Sequence, residues 1–218
     1  MSSSSLPEDL PSPPEIASSI FGDRLGVASA FVAILADTGV SHGLIGPREV
    51  PRLWDRHVLN CAVIGEAMPE RSVPVVDVGS GAGLPGVALA IARPDLQVHL
   101  VEPMARRTAW LSTTVESLGL TNVEVHRGRA EDFRGSLSGR YVTARAVARL
   151  PKLLAWCAPL TDVGGHIVAM KGTSASEELG EARPVLKMWH LVDARVTTVG
   201  DALPDPTTVV IFRRGSRR

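Results

Sequence analysis

The sequence predicts an α/β protein: a doubly wound, mostly parallel seven-stranded sheet that ends in an antiparallel hairpin and follows a helical lobe. Three observations predict it. From residue 73 onward, short apolar runs alternate with amphipathic stretches at the spacing of βαβ units. Residues 15–72 carry helical periodicity and no strand signal. The last two strand-like runs are separated only by a turn containing Pro204 and Pro206, and strands joined by so short a connection are most easily antiparallel. A chain of 218 residues holds one such core at 73–218 plus the lobe, with room for one active site.

The elements follow in order. The opening MSSSSLPEDLPSPP predicts a disordered tail over 1–14. It has neither the basic start nor the apolar run of a secretory signal, and no uninterrupted apolar stretch reaches the ~20 residues of a membrane span. A cytoplasmic protein without membrane contact is expected. Ile16, Ile20, Phe31, Ile34 and Leu35 recur at helical spacing, with Asp23 a candidate N-cap. Gly46-Pro47 interrupts the pattern, and a second helix is expected from about Leu53 to Met68, where Pro69 stops it. The runs VPVVDV, LPGVALAIA, LQVHLV, ARRTAWLSTTVESLG and NVEVHR then read β-α-β-α-β. YVTARAVA reads as a fourth strand, LPKLLAWCAPL as a helix and GGHIVAMKG as a fifth strand. A helix over about Ser174 to Leu186 leads to the final pair, LVDARVTTV and TTVVIFRR.

Composition narrows the function classes. Net charge is zero, with 23 basic and 23 acidic residues, so the chain lacks the broad positive field of a non-specific nucleic-acid binder. Its cations are nevertheless clustered arginines: Arg48, Arg52 and Arg56; Arg106 and Arg107; Arg127, Arg129 and Arg134; Arg140, Arg145 and Arg149; Arg213, Arg214, Arg217 and Arg218. Such groups read phosphate through a planar fork, or are simply solvated charges. Cys61 and Cys157, without a CxxC or a histidine at ligand spacing, predict neither a disulfide framework nor a metal site.

Val75 to Gly86, VVDVGSGAGLPG, is a strand, a glycine-rich turn and a helix start. Gly81, Gly83 and Gly86 fit G-x-G-x-x-G, a spacing as useful to a pyrophosphate as to an amino-acid moiety. Three carboxylates favour S-adenosylmethionine over a nicotinamide dinucleotide. Asp77, at the end of the first strand, repels a pyrophosphate and suits an ammonium and a sulfonium. Glu102, ending the second strand, is placed to accept ribose hydroxyls. Ala130-Glu131, after the third strand, falls where such folds bring a loop to the adenine edge, although Glu131 could equally be a helix N-terminal acid. Pro85 is expected just inside the helix, leaving free N–H groups for the methionine carboxylate. The expected class is therefore a class I, Rossmann-like S-adenosylmethionine methyltransferase.

A closer resemblance lies in order and spacing. WDRHVLN, VDVGSGAGLPGVALAIARPD, EPMARRTAWL, RAEDF, TARAVARL and GGHIVAMKG, spanning roughly Leu53 to Gly172, resemble the family of ribosomal RNA small subunit methyltransferase G, also called glucose-inhibited division protein B. The resemblance implies a bacterial cytoplasmic enzyme, expected to act as a monomer, that methylates guanine N7 at guanine 527 of 16S ribosomal RNA, free or in the small-subunit particle. It further implies cofactor contacts at Gly79, Leu84, Ala130, Glu131 and Arg145, beside Gly81 and Gly83. Arg145 is expected to hold cofactor or guanine, and His57 to orient it, unless His57 is merely a satisfied helix histidine. Arg52, Arg56, Arg106 and Arg107 are expected to border the RNA. The family's usual RHxLDS is here Arg56-His57-Val58-Leu59-Asn60-Cys61, which replaces a carboxylate and a hydroxyl. A small-molecule methyltransferase is the competing reading; few aromatic residues are available to line its pocket.

Overall fold

The computed structural model describes residues 10–216; residues 1–9 of the expected tail, and Arg217 and Arg218, lie outside the described residues. The helical lobe contains α1 (Glu15–Phe21), α2 (Leu25–Ile34) and α3 (Leu59–Ala62), with 3-10 and π turns between and after them. The remaining elements are β1 (Pro74–Val78), α4 (Gly86–Ala92), β2 (Gln97–Glu102), α5 (Ala105–Ser117), β3 (Val123–Arg127) and β4 (Gly139–Arg145). They are followed by α6 (Leu150–Cys157), β5 (Thr161–Met170), α7 (Ala175–Glu181), α8 (Arg183–Met188), β6 (Leu191–Val199) and β7 (Thr207–Arg214).

All seven strands form one sheet in the order β3-β2-β1-β4-β5-β7-β6. β1 to β5 are parallel neighbours, and β7 runs antiparallel between β5 and β6. The order reverses between β1 and β4, and open α/β sheets bind ligands beyond the strand ends at such a point. Alternation along the strands builds two cores. Val75, Leu100, Tyr141 and Val168 face α4, α5 and the N-terminal helices, whereas Val76, Val142, Ile167 and Phe212 face α6. The lobe thus shares one continuous core with a face of the sheet.

Arg93 ties the two together. Its guanidinium donates to the carbonyls of Gly65 (3.0 Å), Met68 (2.8 Å) and Glu70 (3.0 Å), and to both Asp95 carboxylate oxygens at 2.8 Å. Five charge-assisted bonds from one planar group close the end of the lobe's last helical turn, where the carbonyls have no helical partner.

Several local expectations change. The last described part of the tail is tied down, since Trp54 Nε1 donates to the Pro11 carbonyl at 2.9 Å. Asp23 caps nothing: it lies inside a 3-10 turn, Gly22–Arg24, and Arg24 holds the N-cap position of α2. Helical structure resumes at Pro47 rather than Leu53, because a proline at the first helical position loses no needed N–H. Pro85 is the N-cap of α4, which starts one residue later, at Gly86. The expected helix after Ser174 is divided between α7 and α8, with Pro184 opening the second. Glu15–Gly39 is continuous helical structure, long and apolar enough by length and composition alone to cross a membrane. Ala17, Phe21, Ala28, Phe31, Val32 and Leu35 from it are buried in the core, and Asp23, Arg24 and Asp37 interrupt its apolar run.

Candidate active site

The turn after β1 takes its shape from backbone torsions closed to most side chains. Gly79, Gly81 and Gly83 have φ of +76°, +54° and +77°. Space is equally restrictive. A Cβ on Gly79 would lie 2.2 Å from Val147 Cγ1, and one on Gly86 2.3 Å from Leu100 Cδ2.

Two openings meet over this turn and share Gly79, Arg107 and Val147. The larger, about 510 Å³, is lined by Glu102, Met104, Gly128, Ala130, Glu131 and Trp156. The smaller, about 290 Å³, is lined by Gly81, Leu84, Glu49, His57 and Arg145. Arg145 also borders a third opening of about 540 Å³, with Arg56, Asn60, Lys171 and Thr208. Arg52 joins Arg56 and Asn60 around a fourth of about 530 Å³. The sequence-predicted residues therefore fall along one run of openings from Glu131 to Arg52. Three do not: Arg106 lines a separate groove with Thr38, His42 and Trp110, and Asp77 and Gly83 line none of these openings.

Asp77 stands at the end of β1 as expected, but it is fully buried and does not line the openings. Its Oδ2 accepts the Gly86 N–H at 3.0 Å, and its Oδ1 has no partner among the described residues. Burial pushes its carboxyl up to about 7. The cause is packing: only a glycine at 86 lets α4 sit this close, since a Cβ there would be 2.7 Å from Asp77 Oδ2. The Val87 N–H is bonded to the Gly83 carbonyl at 2.8 Å. The helix end expected to offer these N–H groups to a methionine carboxylate spends both internally.

Glu102 sits on the wall of the larger opening, only 2 % exposed. Its Oε2 accepts the Gly81 N–H at 3.1 Å and its Oε1 the Met104 N–H at 2.9 Å, which couples the glycine turn to the end of β2. An ionised carboxylate has about four acceptor directions, so two remain for a ligand. Glu131 stands exposed at the rim, in a 3-10 turn at Ala130–Phe133. The capping role in that turn belongs to Asp132, whose carboxylate accepts the Arg129 N–H at 2.8 Å.

At the other end, Arg145 is held by a relay of which the sequence anticipated only His57. Its guanidinium contacts His57 Nδ1 at 2.6 Å and Cys61 Sγ at 3.0 Å, and His57 Nε2 contacts Glu49 Oε2 at 2.8 Å. Burial is the largest influence on the imidazole and lowers its pKa, and Arg145 lowers it further against the opposing effect of Glu49. The hydrogen bond from His57 in turn lowers the Glu49 carboxyl. Cys61 follows His57 by four residues, a spacing that puts both on one helical face. That spacing was the available signal; Glu49 offered none.

Two further groups add to the site. Arg107, expected to border the RNA, lines both openings above the turn, and its Nε is buried without a partner among the described residues. Lys171 and Glu178 form a nearly enclosed ion pair at 2.6 Å beside the third opening. Burial raises the Glu178 carboxyl, but bonds from Lys171, Ser174 and the Leu150 N–H outweigh it and hold it at about 2.

The strand order, the left-handed glycine turn after β1 and the openings across the strand ends define a class I, Rossmann-like methyltransferase fold. Solved structures agree with this class at low identity. An O-methyltransferase family protein from Burkholderia thailandensis superposes with a TM-score of 0.56 at 15% identity, covering 93% of this chain and 64% of that one. An S-adenosylmethionine-dependent O-methyltransferase from Thermotoga maritima gives 0.55 at 14% identity, covering 72% and 65%. Sequence is more specific. Residues 25–205 match the GidB family, described as rRNA small subunit methyltransferase G. The protein of that name from Thermobifida fusca is 53% identical over 91% of this chain and 84% of its own, and that from Corynebacterium glutamicum 51% identical over 92% of each. The chain belongs to the ribosomal RNA small subunit methyltransferase G family.

Proposed function

We propose that this protein transfers the methyl group of S-adenosylmethionine to N7 of a guanine in 16S ribosomal RNA, at guanine 527, acting as a cytoplasmic monomer on free RNA or on the small-subunit particle. The observation that carries the reading is the run of openings over the glycine turn. It leads from the acidic wall of Glu102 and Glu131 to the fixed guanidinium of Arg145 and on to Arg56 and Arg52.

The donor set fits S-adenosylmethionine. Glu102 would bind the ribose hydroxyls, Ala130 and Glu131 the adenine edge, and Gly79, Gly81, Gly83 and Leu84 would let the amino-acid end approach the backbone. Asp77 would act from beneath the turn, fixing α4 against β1 through its bond to the Gly86 N–H, rather than by contact. When bound, the cofactor supplies an electrophilic methyl group on a sulfonium.

Guanine N7 carries a lone pair and no proton, so the reaction needs no general base. What the chain must supply is alignment, which can provide about 7–11 kcal/mol of a barrier. Arg145 stands between the cofactor end and the third opening, where it would hold the cofactor or the guanine, and His57 positions it. Val147, lying over Gly79, would help to exclude water.

Mass mapping of 16S RNA after incubation with the protein and S-adenosylmethionine tests this reading. One methyl group on N7 of the target guanine is expected, lost together with cofactor binding in Gly79→Asp. A methyl group on another base, or incorporation only into a metabolite extract, overturns it.

A further inference from the structure

A second cluster of chemistry-bearing side chains lies at the sheet edge, outside the methylation site. His99 of β2 and Glu124 of β3 are register partners in the parallel ladder, and His126 follows Glu124 by two residues, so all three project from one face. His99 Nδ1 lies 3.0 Å from His126 Nε2 and 3.5 Å from Glu124 Oε2, while His126 Nε2 lies 3.7 Å from Glu124 Oε1. We propose that His99, Glu124 and His126 form a binding site for a zinc-type divalent cation that clips the edge strand β3 to β2.

The geometry is that of a three-ligand set. With metal–ligand bonds of about 2.0–2.1 Å, neighbouring donors around a tetrahedral ion stand about 3.3 Å apart. The separations of 3.0, 3.5 and 3.7 Å lie around that value, and because each Glu124 oxygen faces a different histidine, a rotation of that exposed side chain is what brings one oxygen to an ion between the rings. Two imidazoles and one carboxylate are a donor set suited to zinc, and three protein ligands leave a fourth position for water. Access is available from the Glu124 side, whose side chain is 67% exposed, while the two histidines are 21% and 18% exposed. In the metal-free protein the two facing ring nitrogens must share one proton, and a cation would take its place.

The location gives the ion a consequence. β3 is an edge strand, paired on one side only, and the chain leaves it through Gly128 to reach Ala130 and Glu131. β2 carries Glu102 three residues beyond His99. A cation joining the strands would therefore steady two segments that line the larger opening.

The test uses the full chain, free of any histidine tag and stripped of metal. Zinc titration by calorimetry should give one site per chain, cobalt should give the visible absorption of a tetrahedral ion, and zinc should raise Tm. Glu124→Gln, an exposed change that spares the fold, should weaken zinc binding at least about tenfold, and His126→Val should abolish it together with the Tm rise. The proposal is overturned if the parent chain binds no zinc stoichiometrically, or if both variants bind it and gain Tm as the parent does. Should His126→Val unfold, an unchanged affinity in Glu124→Gln and His99→Phe overturns it by the same criterion.

Discussion

Arg145 reaches His57 Nδ1 at 2.6 Å, and this contact fixes the protonation of the whole relay. A guanidinium can only donate, so Nδ1 must be the acceptor and the imidazole proton must lie on Nε2, donated to Glu49. The neutral imidazole required is also the form that burial favours.

His57→Ala should therefore lower kcat/KM for RNA by up to about 100-fold by releasing Arg145, with a smaller change in cofactor Kd. His57→Gln keeps an acceptor and should lose less. Because the folded imidazole pKa is lowered, activity supported by His57 is present above the ordinary histidine range and fades as pH falls below it, when Nδ1–H would face the guanidinium. His57→Gln should flatten that acid limb. Equal losses and unchanged pH profiles in the two variants would contradict the positioning role.

Asp77 has the opposite sign. Its carboxyl is raised from 3.8 to about 7, so between those values the folded state binds more protons than the unfolded state. Its contribution is fully present below pH 3.8 and is lost as pH rises to about 7. The Tm of the parent relative to Asp77→Asn should fall across that window and level off above it. A difference that does not vary with pH would disprove the buried-carboxyl account.

The Lys171–Glu178 pair should be costly to halve. Removing Glu178 leaves an enclosed ammonium, the Ser174 hydroxyl and the Leu150 N–H without their shared acceptor. Loss of one partner of a buried pair costs about 3–5 kcal/mol. Urea denaturation of Glu178→Ala should show a decrease of that size, and Lys171→Met/Glu178→Leu should recover part of it.

Arg52 and Arg56 border the same opening and are exposed. If each meets a phosphate, Arg52→Ala and Arg56→Ala should each reduce the salt slope of RNA binding by about 0.7 for single-stranded contacts. Arg106→Ala, on its separate groove, should change it less. Identical slopes in all three would separate the openings from RNA binding.

Much of the fold was legible because periodicity is a local property. The seven strands announced themselves as short apolar or alternating runs, and the short connection between β6 and β7 favoured their antiparallel pairing. Boundaries were less legible. Pro47 and Pro85 each shifted a helix start, because a proline can open a helix as readily as interrupt it. The capping function expected of Asp23 was absent, since the chain enters a 3-10 turn there.

For the site, the sequence by itself determined the residue types and their strand-end positions: the glycine turn, Glu102, Ala130-Glu131 and Arg145. Only the tertiary structure decided which groups meet. It buried Asp77 beneath α4, moved Arg107 to the openings over the turn, and joined Glu49, His57, Cys61 and Arg145 into one relay. The physical reason is range. Torsion preference and hydrophobic alternation act over a few neighbours along the chain, whereas burial and hydrogen bonding are set by atoms brought together across it, and Arg145 lies 88 residues from His57.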